Sequence, residues 1–301
     1  MQGPVKLLIV LGTRPEAVKL VPLIREVQAR PLFSLSLCHT GQHREISDRF
    51  LKWCGIVPDH DLSVMSAGQS PDEVAGRILL SLGSVIDREA PACVIVQGDT
   101  VSAAAAAQTA HYRRVPVAHV EAGLRSGDTG NPWPEEANRM MIAQLAWLHF
   151  APTRHAAPAL RAEGIPDARI FVTGNTAIDM LAAMPAFAAA SAGRRRASGA
   201  PPEIRDLLVT LHRREIAGGR LEGIALALRA LGARSDVRIT CLLHPNPSIS
   251  APLQTLLANA PGVLLRPPLD YPQCLDLLAR CDLVLTDSGG LQHTFPKWHA
   301  G

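Results

Sequence analysis

Three segments of this 301-residue sequence follow short apolar runs and carry side chains able to move protons or hold phosphate. They are Gly12-Thr13-Arg14-Pro15-Glu16, Gln97-Gly98-Asp99-Thr100 and Glu121-Ala122-Gly123-Leu124-Arg125. A fourth, Pro132-Trp133-Pro134-Glu135-Glu136-Ala137-Asn138-Arg139, opens a helix. Asp99 and Glu121, each just past a strand, can form an acid/base pair, and Glu135 is a third candidate. Arg14 and Lys19 lie near a helix N-terminus, where an anionic phosphate would be stabilised. Plainer readings compete. Thr13 as N-cap, Pro15 in the first turn and Glu16 closing a capping box explain the first segment except Arg14. Asp99 and Glu121 could be helix caps or surface charges, and Glu135 a first-turn acid.

The second half repeats the arrangement. His212 follows the run Leu207–Thr210 beside Arg213 and Arg214, a setting that suits a diphosphate better than a core position. His244, in His244-Pro245-Asn246-Pro247, comes one strand later. Ser288-Gly289-Gly290 follows another strand, with backbone N–H groups free to meet an anion. His39 and His43 straddle Thr40-Gly41 at a strand end, so helical metal-ligand spacing does not apply to them. The sequence has no P-loop and no G-x-G-x-x-G after its first strand, which argues against ATP and NAD.

These residues need a scaffold that gathers strand ends. Strands are expected at Val5–Leu11, Leu35–Thr40, Val94–Gln97, Pro116–Val120 and Ile170–Thr173, with helical spacing over Glu16–Ala29, Pro71–Glu89 and Thr100–Arg113. Continuous apolar strands alternating with helices imply a parallel sheet covered on both faces. In open sheets of that kind, ligands bind beyond the carboxyl ends of the strands. Asp179 to Pro202 reads as a helix running into an exposed linker, Ala-rich and ending in Gly199, Pro201 and Pro202. Alternation then resumes with Leu207–Thr210, Ile239–Leu243, Val263–Leu265 and Leu283–Thr286, and a helix over Leu221–Leu231. The expected fold is α/β, with two Rossmann-like doubly wound parallel-sheet domains. The first covers residues 1–178, a helix and linker 179–203, and the second 204–301. After Gln292 only His293 to Gly301 follow, so the second domain reads as cut short, with Leu283–Thr286 near an unprotected edge.

The composition fits a globular enzyme: 47% hydrophobic residues and a formal charge of +3, too small for a nucleic-acid binder. The six cysteines show no C-x-x-C pair and read as free thiols in a reducing compartment. The apolar run Leu7 to Leu11 is too short for a signal-peptide core or a membrane span, so a soluble, cytoplasmic chain with no membrane partner is expected.

The order of segments is specific. LGTRPEAVKLVPLI from Leu11, TGQHRE from Thr40, QGDT from Gln97, HVEAGLRSGD from His119 and PWPEEANR from Pro132 come first. VTGNTAID from Val172, TLHRRE from Thr210, HPNP from His244 and LTDSGG from Leu285 complete the series. With these segments the chain resembles the bacterial non-hydrolysing UDP-N-acetylglucosamine 2-epimerases. The resemblance implies two Rossmann-like domains in the glycosyltransferase-B arrangement with the active site between them. It implies interconversion of UDP-N-acetylglucosamine and UDP-N-acetylmannosamine for cell-surface polysaccharide precursors, with no metal or other cofactor, often in a homodimer.

By the same resemblance, Arg14, Lys19, His212, Ser288, Gly289 and Gly290 would hold UDP, and Asp99, Glu121 and Glu135 would surround the sugar as acid/base groups. His212 would also steady the leaving diphosphate. Gln42, Glu136, Arg213 and His244 match positions that bind a second, activating UDP-sugar. Two departures stand out. Family members continue past the Ser-Gly-Gly-Leu-Gln segment with an acidic pair, where this chain has His293, Thr294 and Phe295, and Cys274 replaces an aromatic that flanks the uracil. Two other readings therefore stay open: a truncated relative with weak or no activity, and a hydrolysing epimerase or glycosyltransferase of the same architecture.

Overall fold

A computed structural model describes the protein over residues 3–42, 44–66, 68–183, 204–211, 219–244 and 247–287. It consists of two compact units that divide between Met180 and Leu181.

The first unit alternates strand and helix almost without exception. β1 (Val5–Leu11), α1 (Arg14–Gln28), β2 (Phe33–His39), α2 (Arg44–Trp53), β3 (His60–Asp61) and α3 (Pro71–Glu89) come first. β4 (Cys93–Gln97), α4 (Val101–Tyr112), β5 (Val117–Val120), α5 (Glu135–Leu145) and β6 (Leu148–Ala151) follow. α6 (Ala157–Ala162), β7 (Ile170–Val172) and α7 (Thr176–Ala182) complete it. The strands form one parallel seven-stranded sheet in the order β3-β2-β1-β4-β5-β6-β7. Winding reverses between β1 and β4, so the loops leaving these two strands diverge and open a crevice at their carboxyl ends.

Packing explains the continuous apolar strands. Leu8, Ile9, Val10 and Leu11 of β1 are wholly buried because helices cover both faces of the sheet. On α1 the buried stripe is Ala17, Leu20, Val21, Ile24 and Val27, at helical spacing. α4 buries Ala103, Ala105, Ala106, Ala107 and Ala110, and these small side chains let Ile78, Leu82, Val85 and Ile86 of α3 pack against it. Each large aliphatic side chain buried this way contributes about 1.5–3 kcal/mol.

The second unit contains β8 (Arg205–Thr210), α8 (Gly219–Gly232), β9 (Val237–Leu242), α9 (Pro247–Leu256), β10 (Val263–Arg266), α10 (Tyr271–Arg280) and β11 (Leu283–Thr286). Its four strands are parallel, ordered β10-β9-β8-β11, and among the described residues β11 is an edge strand paired only with β8. Thr210 and Thr286 are partners in that pairing, and their hydroxyls lie 2.8 Å apart at the carboxyl ends of the two strands.

Two Rossmann-like parallel-sheet units are thus present as expected. Several strand ends shift by one or two residues, and some details differ more. β2 begins at Phe33 and ends at His39, β3 is a two-residue strand, and β6 was not anticipated. β6 escapes notice because the wholly buried His149 interrupts its apolar run, its Nε2 donating to the Ala143 carbonyl at 2.9 Å. The cysteines are free thiols, with Cys38, Cys241 and Cys281 buried. No described helix is long and apolar enough to cross a membrane. Of the helix and linker expected over 179–203, residues 179–182 form the end of α7, and 184–203 lie outside the described residues.

Candidate active site

Thr13 caps α1 in extended conformation (φ −131°), and Glu16 closes the capping box. Glu16 does more than cap. Its Oε2 accepts from the Gly12 N–H at 2.9 Å and the Thr13 N–H at 2.7 Å, while Oε1 accepts from the Thr100 hydroxyl at 2.6 Å. Thr100 is itself the N-cap of α4, accepting from the Ala103 N–H at 3.0 Å. One buried carboxylate therefore joins the two loops that diverge at the switch point. Burial raises the Glu16 pKa, opposed by the hydrogen bonds from Thr100, Thr13 and Gly12.

Asp99 sits in the second of these loops, after Gly98, whose φ is +71°. Four side chains hold this stretch. His119 Nε2 donates to the Gly98 carbonyl at 2.7 Å, and Asn138 Nδ2 donates to the Asp99 carbonyl at 2.9 Å. Arg139 Nε donates to Asp99 Oδ2 at 2.7 Å, and Glu16 accepts from Thr100 as above. Burial raises the Asp99 pKa, with Arg139 opposing it, the Glu121 charge adding to it and Lys19 opposing more weakly. His119 is wholly buried, and burial pushes its pKa down to about 4 despite the bond to Gly98.

Glu121, the residue after β5, adopts a left-handed backbone conformation (φ +66°), uncommon for a residue with a side chain. Its carboxylate is fully engaged. Oε2 accepts from Lys19 Nζ at 2.5 Å and from Gln97 Nε2 at 2.6 Å, and Oε1 accepts from Asn175 Nδ2 at 3.0 Å. The Lys19 side chain is 17% exposed and that of Glu121 9%, so this ion pair is largely removed from solvent.

Asp99 and Glu135 line one cavity of about 430 Å³, together with Thr13, Gln42, Gln69 and Asn138. Glu135 Oε2 and Gln69 Nε2 are buried there without a hydrogen-bond partner, the kind of polar group that a bound molecule would satisfy. Gln42 Oε1 accepts from the Ser102 hydroxyl at 2.7 Å and the Ser102 N–H at 3.2 Å, which fixes it in the cavity wall. The cavity can admit a polar molecule beside two carboxylates on different elements.

The remaining expected residues divide clearly. Arg14, first residue of α1, has a half-buried side chain that makes no ion pair or hydrogen bond among the described residues. Lys19, expected to meet phosphate, is joined to Glu121. Glu136 is buried away from the cavity lining; its Oε1 accepts from the Ser126 and Gly127 N–H groups at 2.8 and 3.1 Å. Its Oε2 meets Arg139 Nη1 at 2.9 Å. His244 lies half-buried just beyond β9. His212, Arg213, Ser288, Gly289 and Gly290 lie outside the described residues. Gln97, His119, Asn138, Arg139 and Asn175 are functional residues that sequence pattern alone does not single out. All five lie in or next to the segments that marked the site, but only strand order shows what they touch. Among the described residues, no group of three or more His, Cys, Asp or Glu side chains could hold a metal ion.

Comparison with known proteins matches this scaffold closely. A protein-family model described as UDP-N-acetylglucosamine 2-epimerase matches residues 25–297. The UDP-N-acetylglucosamine 2-epimerase of Escherichia coli strain K12 is 41% identical over 298 residues, covering 97% of this chain and 79% of that protein. The Salmonella typhimurium enzyme of the same name is 42% identical over 300 residues, with the same coverage. The crystal structure of UDP-GlcNAc 2-epimerase from Neisseria meningitidis bound to UDP-GlcNAc superposes with a TM-score of 0.83 at 36% identity, over 95% of this chain and 79% of that one.

Proposed function

The chain belongs to the UDP-N-acetylglucosamine 2-epimerase family, and on that premise we propose that it interconverts UDP-N-acetylglucosamine and UDP-N-acetylmannosamine at the cavity holding Asp99 and Glu135. The observation that carries this reading is the set of carboxylates at the strand mouths. Asp99 and Glu135 line one cavity from different elements, and Glu121 lies near enough to influence the charge of Asp99.

The chemistry needs such a set. The hydrogen at C2 of the sugar is not next to a carbonyl carbon, so its removal cannot be eased by an enolate. Elimination avoids the problem: a carboxylate takes the C2 proton, the C1–O bond breaks with its electron pair leaving on UDP, and a C1=C2 double bond forms in 2-acetamidoglucal. In the return step a carboxylic acid protonates C2 from the other face while the UDP oxygen bonds to C1. Proton transfer on two faces requires more than one carboxyl group. Negative charge grows on the departing diphosphate, which cations and helix N-termini stabilise. In this reading Asp99, Glu121 and Glu135 serve the proton transfers. Arg14, Lys19, His212, Ser288, Gly289 and Gly290 serve UDP, with Lys19 also charge-balancing Glu121. Gln42, in the cavity wall, together with Arg213 and His244, is assigned to a second, regulatory UDP-sugar, whereas Glu136, buried and held by Arg139, Ser126 and Gly127, supports the site from inside the protein.

The test is direct. Purified protein incubated with UDP-N-acetylglucosamine in heavy water should yield a second UDP-linked sugar by proton NMR, with deuterium at C2. Absence of exchange at high protein concentration, or release of free N-acetylmannosamine as the only product, would sink the proposal.

A further inference from the structure

We infer that Arg139 is a positioning residue for the reaction, holding Asp99 as an ionised carboxylate with one oxygen left open to the cavity. The inference rests on the epimerase reading for its consequence, but not for its geometry. Arg139 Nε and Nη2 both reach the same oxygen, Asp99 Oδ2, at 2.7 and 2.5 Å. An Arg–carboxylate pair most often forms a fork across two oxygens. Here the grip on one oxygen leaves Oδ1 without a hydrogen-bond partner among the described residues, in a side chain that lines the cavity. The guanidinium is anchored in turn: Nη1 meets Glu136 Oε2, and Glu136 Oε1 is fixed by two backbone N–H groups at Ser126 and Gly127. The Arg139 side chain is 18% exposed and that of Glu136 only 1%, so the chain from loop to Asp99 is built into the protein interior.

A purely structural role is already filled. The neighbouring Asn138 ties α5 to the Asp99 backbone carbonyl, so Arg139 is not needed merely to hold that loop against α5. What Arg139 adds is charge. Burial and the Glu121 charge both favour a protonated Asp99. The groups facing Asp99 are Arg139 and Glu136 from α5, Glu121 beyond β5 and Lys19 from α1, with Glu135 in the same cavity wall. Lys19 is already paired with Glu121, which leaves Arg139 as the principal counterweight.

The test compares Arg139→Gln and Arg139→Lys with wild type. Removing the cation should raise the Asp99 pKa by about one unit or more. In a pH profile of deuterium exchange at C2, one limb of the Arg139→Gln profile should move upward by a similar interval. On the low-pH side of that limb its kcat should fall by up to about tenfold per unit of displacement, with KM changed little. Arg139→Lys keeps the charge and should hold the limb near its wild-type position while losing the single-oxygen geometry and hence kcat. A folded Arg139→Gln with both limbs unmoved, or an Arg139→Lys displaced as far as Arg139→Gln, overturns the inference. If Arg139→Gln does not fold, Arg139→Lys decides: an unchanged kcat overturns the inference and a lowered kcat with an unmoved limb supports it. The Asp99 carboxyl can also be titrated by carbon-13 NMR in wild type and Arg139→Lys, with Asp99→Asn identifying the resonance. That readout needs no turnover. An Asp99 pKa in Arg139→Lys more than about one unit above wild type overturns the inference even if the chain proves to lack epimerase activity.

Discussion

Lys19 Nζ and Glu121 Oε2 lie 2.5 Å apart, pairing residues separated by 102 positions and joining α1 to the turn beyond β5. Replacement of Lys19 by Met leaves Glu121 with only the neutral donors Gln97 and Asn175. A largely buried carboxylate that loses its cation is destabilising, here by about 2 kcal/mol given the partial exposure of Lys19. The Lys19→Met protein should unfold at lower urea concentration by that amount. Its C2 exchange rate should drop about a hundredfold, since about 2.7 kcal/mol of transition-state stabilisation corresponds to that factor. An exchange rate within a factor of three of wild type would show that the pair is structural only.

Two glycines in the same region should respond differently to alanine. Gly98 has φ +71°, but a methyl group there meets only Glu121 Oε2, at 3.8 Å. Gly98→Ala therefore incurs the left-handed backbone cost alone, about 1–2 kcal/mol. Gly123 has φ +88°, and a methyl group would collide with the Ala156 backbone carbonyl. Gly123→Ala should lose about 3 kcal/mol or more, because backbone must shift as well. Thermal melts of both variants check the order.

His119 should make stability depend on pH below neutrality. Burial holds its folded pKa down at about 4, against an ordinary 6.5, so it stays neutral in the fold while the unfolded chain takes up a proton. Its contribution is complete above pH 6.5 and is lost as pH falls from 6.5 towards 4, about 3 kcal/mol over that window. His119→Gln keeps an N–H for the Gly98 carbonyl but does not titrate. Urea unfolding at pH 7 and pH 4 should show a loss of stability smaller by about that amount in the variant.

Thr100 donates to Glu16 and caps α4 with the same hydroxyl. Thr100→Val removes both bonds with little change of shape and leaves a buried carboxylate oxygen unsatisfied. Destabilisation of about 2–3 kcal/mol is expected, while Thr100→Ser, which keeps the hydroxyl, should lose under about 1 kcal/mol. Chemical denaturation of the pair separates the hydrogen bonds from the packing.

Much of this site is legible in the sequence, for a definite reason. Thr13 with Glu16, and the acids Asp99, Glu121 and Glu135, announce themselves by local pattern: a cap three residues from its acid, a charge just past an apolar run, an acid in a first helical turn. Their partners do not. Arg139 meets Asp99 and Asn175 meets Glu121 only because β4, β5, β6 and β7 lie side by side in that order, and no spacing along the chain encodes such neighbours. β3, two residues long, and β6, interrupted by a buried His149, carry too little apolar pattern to be read as strands. The left-handed turn at Glu121 was hidden because a glutamate gives no sign of a backbone conformation that glycine would have advertised.

The stretch from Gly98 to Thr100 is held by four side chains from three elements: Glu16 on α1, His119 on β5, and Asn138 with Arg139 on α5. In mechanical terms the mounting is over-determined, with more fasteners than the part has ways to slip. Each fastener has its own cost when lost, but the others keep the part in place, so pairs of changes should fail by more than their sum. Such a mounting is stiff by redundancy: the loop's position is a consensus of three elements and not the property of any one of them.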